Sequence, residues 1–160
     1  GMGRLTKEDR DVVSWALEAT GMLEFRQREI ACLSGGQRQR VWVAMALAQQ
    51  TNIVLLDEPT TYLDLSHQLE VLEILKHLNR EQGTTIVMVL HDLNLASRYS
   101  DYLLAMKDGQ IARYGTPEEV MTRDVLAECF FIDGDVVTDR RSGKPVCLSY
   151  DLLAAKEGRV

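Results

Sequence analysis

The chain has 160 residues, of which 46% are hydrophobic and 26% are charged, proportions typical of one globular domain with an apolar core. Lys and Arg total 18 against 24 for Asp and Glu, so the formal net charge is −6 at pH 7. This acidic balance argues against a general polyanion-binding surface, and nucleic acid is not expected as a partner.

The cysteines and the apolar runs exclude further classes of protein. Cys32, Cys129 and Cys147 lie far apart and lack the short paired spacing of a zinc site or a redox dithiol, which favours a reducing compartment. The longest apolar runs, at 53–56 and 86–90, fall short of the ~20 residues that span a bilayer. Gly1 before Met2 is interpreted as a remnant of an expression tag, and no secretory signal is expected.

Two helices are predicted in the first third of the chain. Apolar residues at helical spacing from Thr6 to Ala19 predict an amphipathic helix that stops at Gly21. A second helix is predicted from Ser34 to Ala48, with an apolar face formed by Val41, Ala44, Met45 and Ala48. Trp15 and Trp42 fall within these apolar patterns and are expected to pack rather than to stack on a nucleotide.

Strands and helices alternate after this point. The continuous apolar run at 52–56 predicts a strand buried on both faces, and a similar run at 85–90 predicts a second. Between them, leucines at helical spacing from Leu65 predict a long helix that ends at Gly83, with His67 and His77 solvated on different faces. Such alternation predicts an α/β fold with a mainly parallel sheet.

The last part of the chain combines short elements. A helix at 92–99 and a strand hairpin at 101–106 and 110–114 are expected first. Two short helices and two strands, joined by a turn at 141–144, follow. No recognisable chemistry marks this C-terminal part.

The segment 33–40 reads Leu-Ser-Gly-Gly-Gln-Arg-Gln-Arg at the start of the second helix. Ser34 and Gln37 have the spacing of a capping box, which accounts for both residues without a ligand. Gly35 and Gly36 add backbone N–H groups that no side chain screens, and phosphate oxygens can approach such a helix start closely. Both interpretations stay open on these residues alone.

Three candidate polar residues follow the two apolar strands. Asp57 and Glu58 end the first strand, at the edge where ligands gather in open α/β sheets, although acids before a proline are also ordinary turn residues. His91 follows the second strand, where it serves a structural role or donates a hydrogen bond to a phosphate oxygen.

Taken together, these motifs resemble those of ABC-type ATPases. The segment 33–40 resembles the signature motif of that family, 53–58 its Walker B strand, 60–64 its D-loop, and His91 its switch histidine. The resemblance covers about 33–116, and 6–30 fits the helical subdomain before the signature. It implies a partial P-loop NTPase-type fold with helical-subdomain and signature residues at 1–50, the second half of the α/β core at 51–116, and a small α+β extension at 117–160.

The resemblance also implies a division of roles. Ser34, Gly36 and Gln37, with Gly35 and Asp64 beside them, would contact ATP held by a second subunit. Asp57 would hold Mg²⁺ through coordinated water, and Glu58 would act as the general base for the attacking water. His91 would sense the γ-phosphate.

One required motif is missing from the sequence. No G-x-x-x-x-G-K-[ST] phosphate-binding loop occurs, and the Gly-Lys pair at 143–144 lacks the first glycine and precedes a proline. The chain is therefore expected to be an expressed fragment, or a reading frame called from an internal start, that is inactive alone. The alternative is a non-catalytic interaction module, and a more distant one is a chromosome-maintenance ATPase of the same family.

The segments 60–68 and 115–120 most resemble the family branch that imports ferric siderophores, iron(III) and cobalamin. That resemblance implies an ATP-hydrolysing importer subunit that works as a homodimer, binds ATP and Mg²⁺, and couples hydrolysis to membrane permease subunits. It would lie in the cytoplasm, attached to the inner face of the membrane through the permease. The transported substrate is decided by partners outside this sequence.

Overall fold

The computed structural model describes residues 6–61 and 63–153, and it confirms the α/β class. The first part contains α1 (Lys7–Ala19), α2 (Gly35–Leu47), β1 (Ile53–Asp57), α3 (Leu65–Gln82) and β2 (Thr85–Val89). The second contains α4 (Leu93–Tyr99), β3 (Leu103–Lys107), β4 (Gln110–Gly115), α5 (Pro117–Val120), α6 (Arg123–Val125), β5 (Ile132–Thr138) and β6 (Pro145–Leu152). Every helix and strand that the sequence predicts is present, within a few residues of its predicted ends.

The described residues form three two-stranded sheets. β1 and β2 are parallel, with Ile53 opposite Thr85 and Asp57 opposite Val89, so their carboxyl ends share one edge. β3 pairs with β4 and β5 with β6 in antiparallel hairpins. The predicted parallel pairing is thus confirmed for β1 and β2, and the predicted hairpin for β3 and β4.

The chain divides into two compact units at the junction of Leu90 and His91. The motif-based divisions at 50 and 116 follow a different criterion and stay a prediction. In the described residues no helix is both long enough and apolar enough to cross a membrane.

Three helices and one face of the β1–β2 sheet build the core of the first unit. Its buried residues are Ala16, Val43, Ala44, Leu47, Val71, Leu75 and Leu78, and Leu56, Ile86 and Met88 of the two strands pack against them. Each fully buried Val or Leu contributes roughly 1.5–3 kcal/mol relative to an exposed position. The aliphatic cluster therefore holds α1, α2 and α3 on the sheet.

The opposite face of this sheet is exposed. Leu55 is 74% exposed and Ile53 58%, and Val87 and Val89 are similarly open. The prediction that both strands are buried on both faces is wrong for this structure, because helices cover only one face. Ile53 and Leu55 thus present apolar surface that no described element covers.

The face that α2 buries also differs from the predicted one. Val43, Ala44 and Leu47 are buried, whereas Met45 is 51% exposed and Trp42 57%. The predicted packing of Trp42 is therefore wrong, while Trp15 of α1 does pack against the core. The apolar spacing correctly predicted that α2 is a helix. Apolar residues lie on several sides of this helix, however, so the sequence pattern does not indicate which side is buried.

Polar contacts in the second unit join α4 to the C-terminal hairpin. The Asn94 amide donates to the Cys147 carbonyl at 3.0 Å and accepts from the Cys147 N–H at 2.8 Å. The buried Ser97 hydroxyl donates to the Pro145 carbonyl at 2.6 Å. The C-terminal extension is thus tied to the helix that follows His91 in the chain.

Candidate functional site

The start of α2 is a capping box. Ser34 is the N-cap, its hydroxyl accepts from the Gln37 N–H at 3.2 Å, and the Gln37 side chain accepts from the Ser34 N–H at 2.9 Å. The Ser34 carbonyl accepts from the Arg38 N–H at 2.9 Å. These bonds satisfy the third and fourth amides of the helix, and the N–H groups of Gly35 and Gly36 are the two that the capping box leaves without a partner.

The two glycines have different surroundings. Gly35 is exposed, and a β-carbon built on it would meet no heavy atom within 4 Å. Gly36 is buried, and its β-carbon would lie 2.7 Å from Cδ2 of His67. Gly35 thus leaves an amide open to solvent, whereas Gly36 makes room for an imidazole.

The start of α3 is the second polar centre of this unit. Asp64 is its N-cap, and its Oδ1 accepts from the His67 N–H at 3.0 Å, from His67 Nδ1 at 2.7 Å and from the Ser66 hydroxyl at 2.9 Å. The backbone hydrogen bond from His67, followed by those from the side chains of His67 and Ser66, lowers the pKa of Asp64 to about 2. Asp64 is therefore a carboxylate throughout the physiological pH range.

His67 connects these two helix starts. Its ring contacts Asp64 on one side and covers Gly36 on the other, and it is only partly exposed. The prediction that His67 is solvated is wrong, since its position in the first turn of α3 directs it towards α2, whereas His77 is exposed as predicted. One turn further along both helices, Arg40 pairs with Glu70 at 3.7 Å.

The end of β1 holds the candidate catalytic carboxylates. Asp57 is exposed at the strand end, and Glu58 is half-buried and has a φ of 47°. A left-handed backbone is uncommon for a residue with a side chain, and such strain collects at functional sites. The Glu58 carboxylate accepts from the Thr61 hydroxyl at 2.9 Å, and the Glu58 carbonyl accepts from the Thr61 N–H at 3.2 Å. The loop thus fixes the Glu58 side chain.

The described side chains do not form a complete metal site by themselves. Throughout 6–61 and 63–153, no group of three or more His, Cys, Asp or Glu side chains gathers in a way that could hold a metal ion. Mg²⁺ is commonly held by one or two carboxylates together with substrate phosphates and water. The exposed Asp57 carboxylate fits that mode, in which the metal arrives with the nucleotide.

The structure thus brings Ser34, Gly35, Gly36 and Gln37 together with Asp64 through His67, and it places Asp57 beside Glu58. His91 opens the second unit, so its assigned contact with a phosphate stays a prediction. Tyr62, in the segment that resembles the D-loop, lies outside the described residues. Sequence reasoning missed His67 and Thr61, although the three-residue spacing from Asp64 to His67 and from Glu58 to Thr61 is the available signal.

Comparison with known proteins places these motifs in a family. Residues 4–61, which include the capping box of α2 and the carboxylates after β1, match the profile of the ABC transporter family. The iron(3+)-hydroxamate import ATP-binding protein FhuC of Bacillus subtilis (strain 168) is 61% identical over 153 residues, which are 96% of this chain and 57% of FhuC. The ferric enterobactin transport ATP-binding protein FepC of Escherichia coli (strain K12) is 46% identical over 143 residues, 89% of this chain and 53% of FepC.

Two solved structures of ABC transporter proteins are also similar to this chain. An inward-facing ABC transporter structure, described as of the metal-chelate type, superposes with a TM-score of 0.81 at 28% identity, over 92% of this chain and 61% of the other. The dimeric post-hydrolysis structure of the ATP-binding cassette MJ0796, bound to ADP and Pi, superposes with a TM-score of 0.60 at 36% identity, over 72% and 50%. The chain spans little more than half the length of the curated relatives it matches.

Proposed function

Because this chain belongs to the ATP-binding proteins of ABC transporters, we propose that it supplies the signature and Walker B parts of an ATP-hydrolysing importer subunit. The observation that carries the proposal is the start of α2, where the exposed Gly35 leaves an unscreened amide at a helix N-terminus. Such amides bind phosphate oxygens. In this assignment, Ser34, Gly35, Gly36, Gln37 and Asp64 contact the ATP of a second copy.

The carboxylates at the end of β1 do the chemistry in this proposal. Mg²⁺ neutralises charge on the phosphates and is held through water by Asp57. Glu58, whose carboxylate is oriented by Thr61, takes the proton of the attacking water, and His91 donates a hydrogen bond to the γ-phosphate. The phosphate-binding loop that must hold the nucleotide is absent from this sequence, so a second polypeptide segment has to provide it.

The substrate and partners are proposed from the relatives. Those described above import iron(3+)-hydroxamate and ferric enterobactin, which supports ferric siderophore import here. Membrane permease subunits would then bind the ATPase at the cytoplasmic face of the membrane, and the working form would be a homodimer.

A hybrid protein tests the enzymatic part. In this hybrid, the chain replaces the matching residues of the Bacillus subtilis relative, which contributes the remaining part of its own length. We expect Mg²⁺-dependent release of phosphate from ATP and ATP-dependent dimerisation. A folded hybrid that binds Mg-ATP but neither dimerises nor hydrolyses it would refute the proposal.

Gly35 offers a sharper test of the signature contact. Gly35→Asp adds a carboxylate where no atom stands in the way, and acids in the first turn stabilise helices, so folding is retained. The same carboxylate repels phosphate, so we expect ATP-dependent dimerisation to be lost, whereas Gly35→Ala has a smaller effect. Equal behaviour of the two variants would exclude a phosphate contact at this amide.

The second candidate function is a non-catalytic interaction module, favoured by the absent phosphate-binding loop and by the exposed apolar face of β1 and β2. Titration of the 160-residue chain with Mg-ATP addresses it. We expect weak or no binding and no turnover. Steady-state hydrolysis that Glu58→Gln abolishes would show that this chain holds nucleotide without the loop.

A further inference from the structure

A single imidazole touches the polar starts of two helices of the first unit, α2 and α3. His67 Nδ1 lies 2.7 Å from Asp64 Oδ1, and the other edge of the ring lies against Gly36, with Cδ2 and Nε2 at 2.7 and 3.2 Å from the position of a β-carbon there. Any side chain at residue 36 would thus displace the ring. Gly36 lies in regular helix, so the close approach of the ring explains the glycine here.

The hydrogen bond to Asp64 fixes the protonation of the ring. Asp64 is ionised above about pH 2, and a carboxylate only accepts hydrogen bonds. His67 Nδ1 must therefore carry the proton, and in the neutral ring Nε2, on the Gly36 side, is the unprotonated nitrogen. The tautomer of the His67 ring therefore shows whether its hydrogen bond to Asp64 is present.

We propose that His67 is a positioning residue that sets the spacing between Asp64 and the start of α2, so that these two segments move as one. This inference rests on the proposed function only in assigning both segments to the same ATP. The ring occupies the space that a side chain at residue 36 would fill, whereas Gly35 beside it stays exposed.

A simple capping role for α3 does not account for this arrangement. The N-cap bond is made by the backbone N–H of His67 to Asp64, and any residue other than proline at 67 would provide it. The ring adds a second bond to Asp64 and the contact with α2. Arg40 and Glu70, the charged groups that face each other one turn away, link the helices independently, and the aliphatic core holds them when the ring is removed.

The test is an NMR measurement of the imidazole nitrogens in the 160-residue chain near pH 8, where neutral rings reveal their tautomer. We expect His67 to carry its proton on Nδ1, and Gly36→Ala to abolish that signature by pushing the ring off Asp64. Gly35→Ala is the matched control, because a β-carbon there meets nothing within 4 Å, and it should leave the signature unchanged. The exposed His77 on the same helix is the internal reference.

Substitution of His67 gives a second measurement should Gly36→Ala unfold the chain. Loss of the ring in His67→Ala should shift the amide resonances of Gly36 and Gln37, whereas His77→Ala should not. His67→Asn keeps a donor near the Nδ1 position, so it should restore the Asp64 signals but not those of Gly36.

Unchanged Gly36 resonances in His67→Ala, or an unchanged His67 tautomer in folded Gly36→Ala, would overturn the proposal. None of these signals requires ATP. If the hybrid protein does not hydrolyse ATP while the NMR signals show that His67 still contacts both Asp64 and Gly36, the result counts against the proposed function alone.

Discussion

The start of α2 and the end of β1 are both candidate contacts for a nucleotide, but they use their residues in opposite ways. At α2, the side chains of Ser34 and Gln37 bond to each other's backbone, which leaves backbone amides to meet a ligand. At β1, the strained backbone of Glu58 and the Thr61 hydroxyl hold a carboxylate in place. In the proposed function, the first region would therefore bind through its backbone, and the second would act through its side chains.

The largest effect is expected on ATP hydrolysis, from a substitution at the end of β1. Glu58→Gln in the hybrid protein removes the proton acceptor but keeps the size of the side chain and an oxygen for Thr61. We expect kcat for ATP hydrolysis to fall by roughly 10²–10⁴-fold, with Mg-ATP binding retained. Phosphate release and a nucleotide-binding titration measure the two parts. Retained turnover would show that Glu58 is not the base.

Alanine substitutions at the two adjacent glycines of α2 should change the free energy of unfolding by different amounts. Gly36→Ala drives a methyl group to 2.7 Å from the His67 ring, and overpacking of this kind costs about 1–3 kcal/mol. Gly35→Ala meets no neighbour and should change the free energy of unfolding by no more than about 1 kcal/mol. Urea unfolding of both variants checks this order, which equal stabilities would contradict.

Removal of the cap should weaken α2 without touching its first amide. Ser34→Ala deletes the oxygen that accepts from the Gln37 N–H, and the loss of an N-cap typically costs about 0.5–2 kcal/mol. Ser34→Asp preserves an acceptor and serves as the control. Urea unfolding of the 160-residue chain gives the values, and a Ser34→Ala variant as stable as the parent would mean that the capping box contributes nothing.

The smallest effect concerns pH at the start of α3. Hydrogen bonds from His67 and Ser66 hold the folded pKa of Asp64 at about 2, below its ordinary 3.8. A carboxyl with a lowered folded pKa stabilises the fold above its unfolded pKa, and this contribution is lost as the pH falls from about 4 to about 2. NMR titration of the Asp64 carboxyl carbon should give a midpoint near 2, and His67→Gln should raise it. A midpoint near 3.8 in the parent chain would contradict the network.

Much of the fold follows from local pattern. The helices and strands are set by apolar periodicity and by end signals that act within a few residues, such as Thr6, Ser34 and Asp64 as N-caps and Gly83, with a φ of 67°, as the end of α3. The strand-end position of Asp57 and Glu58 was predictable for the same reason. The faces of α2 and of the sheet were not, because burial depends on which elements pack against them.

By itself, the sequence determined the order of elements, the family motifs and the candidate residues, since these depend on residue types and on spacing along the chain. Only the tertiary structure decided that Gly36 accommodates a histidine ring while Gly35 stays open, that His67 contacts α2, and that one face of β1 and β2 is uncovered. Each of these features depends on which segments, remote in sequence, lie against each other. Packing decides this, and the local propensities of the residues do not determine it.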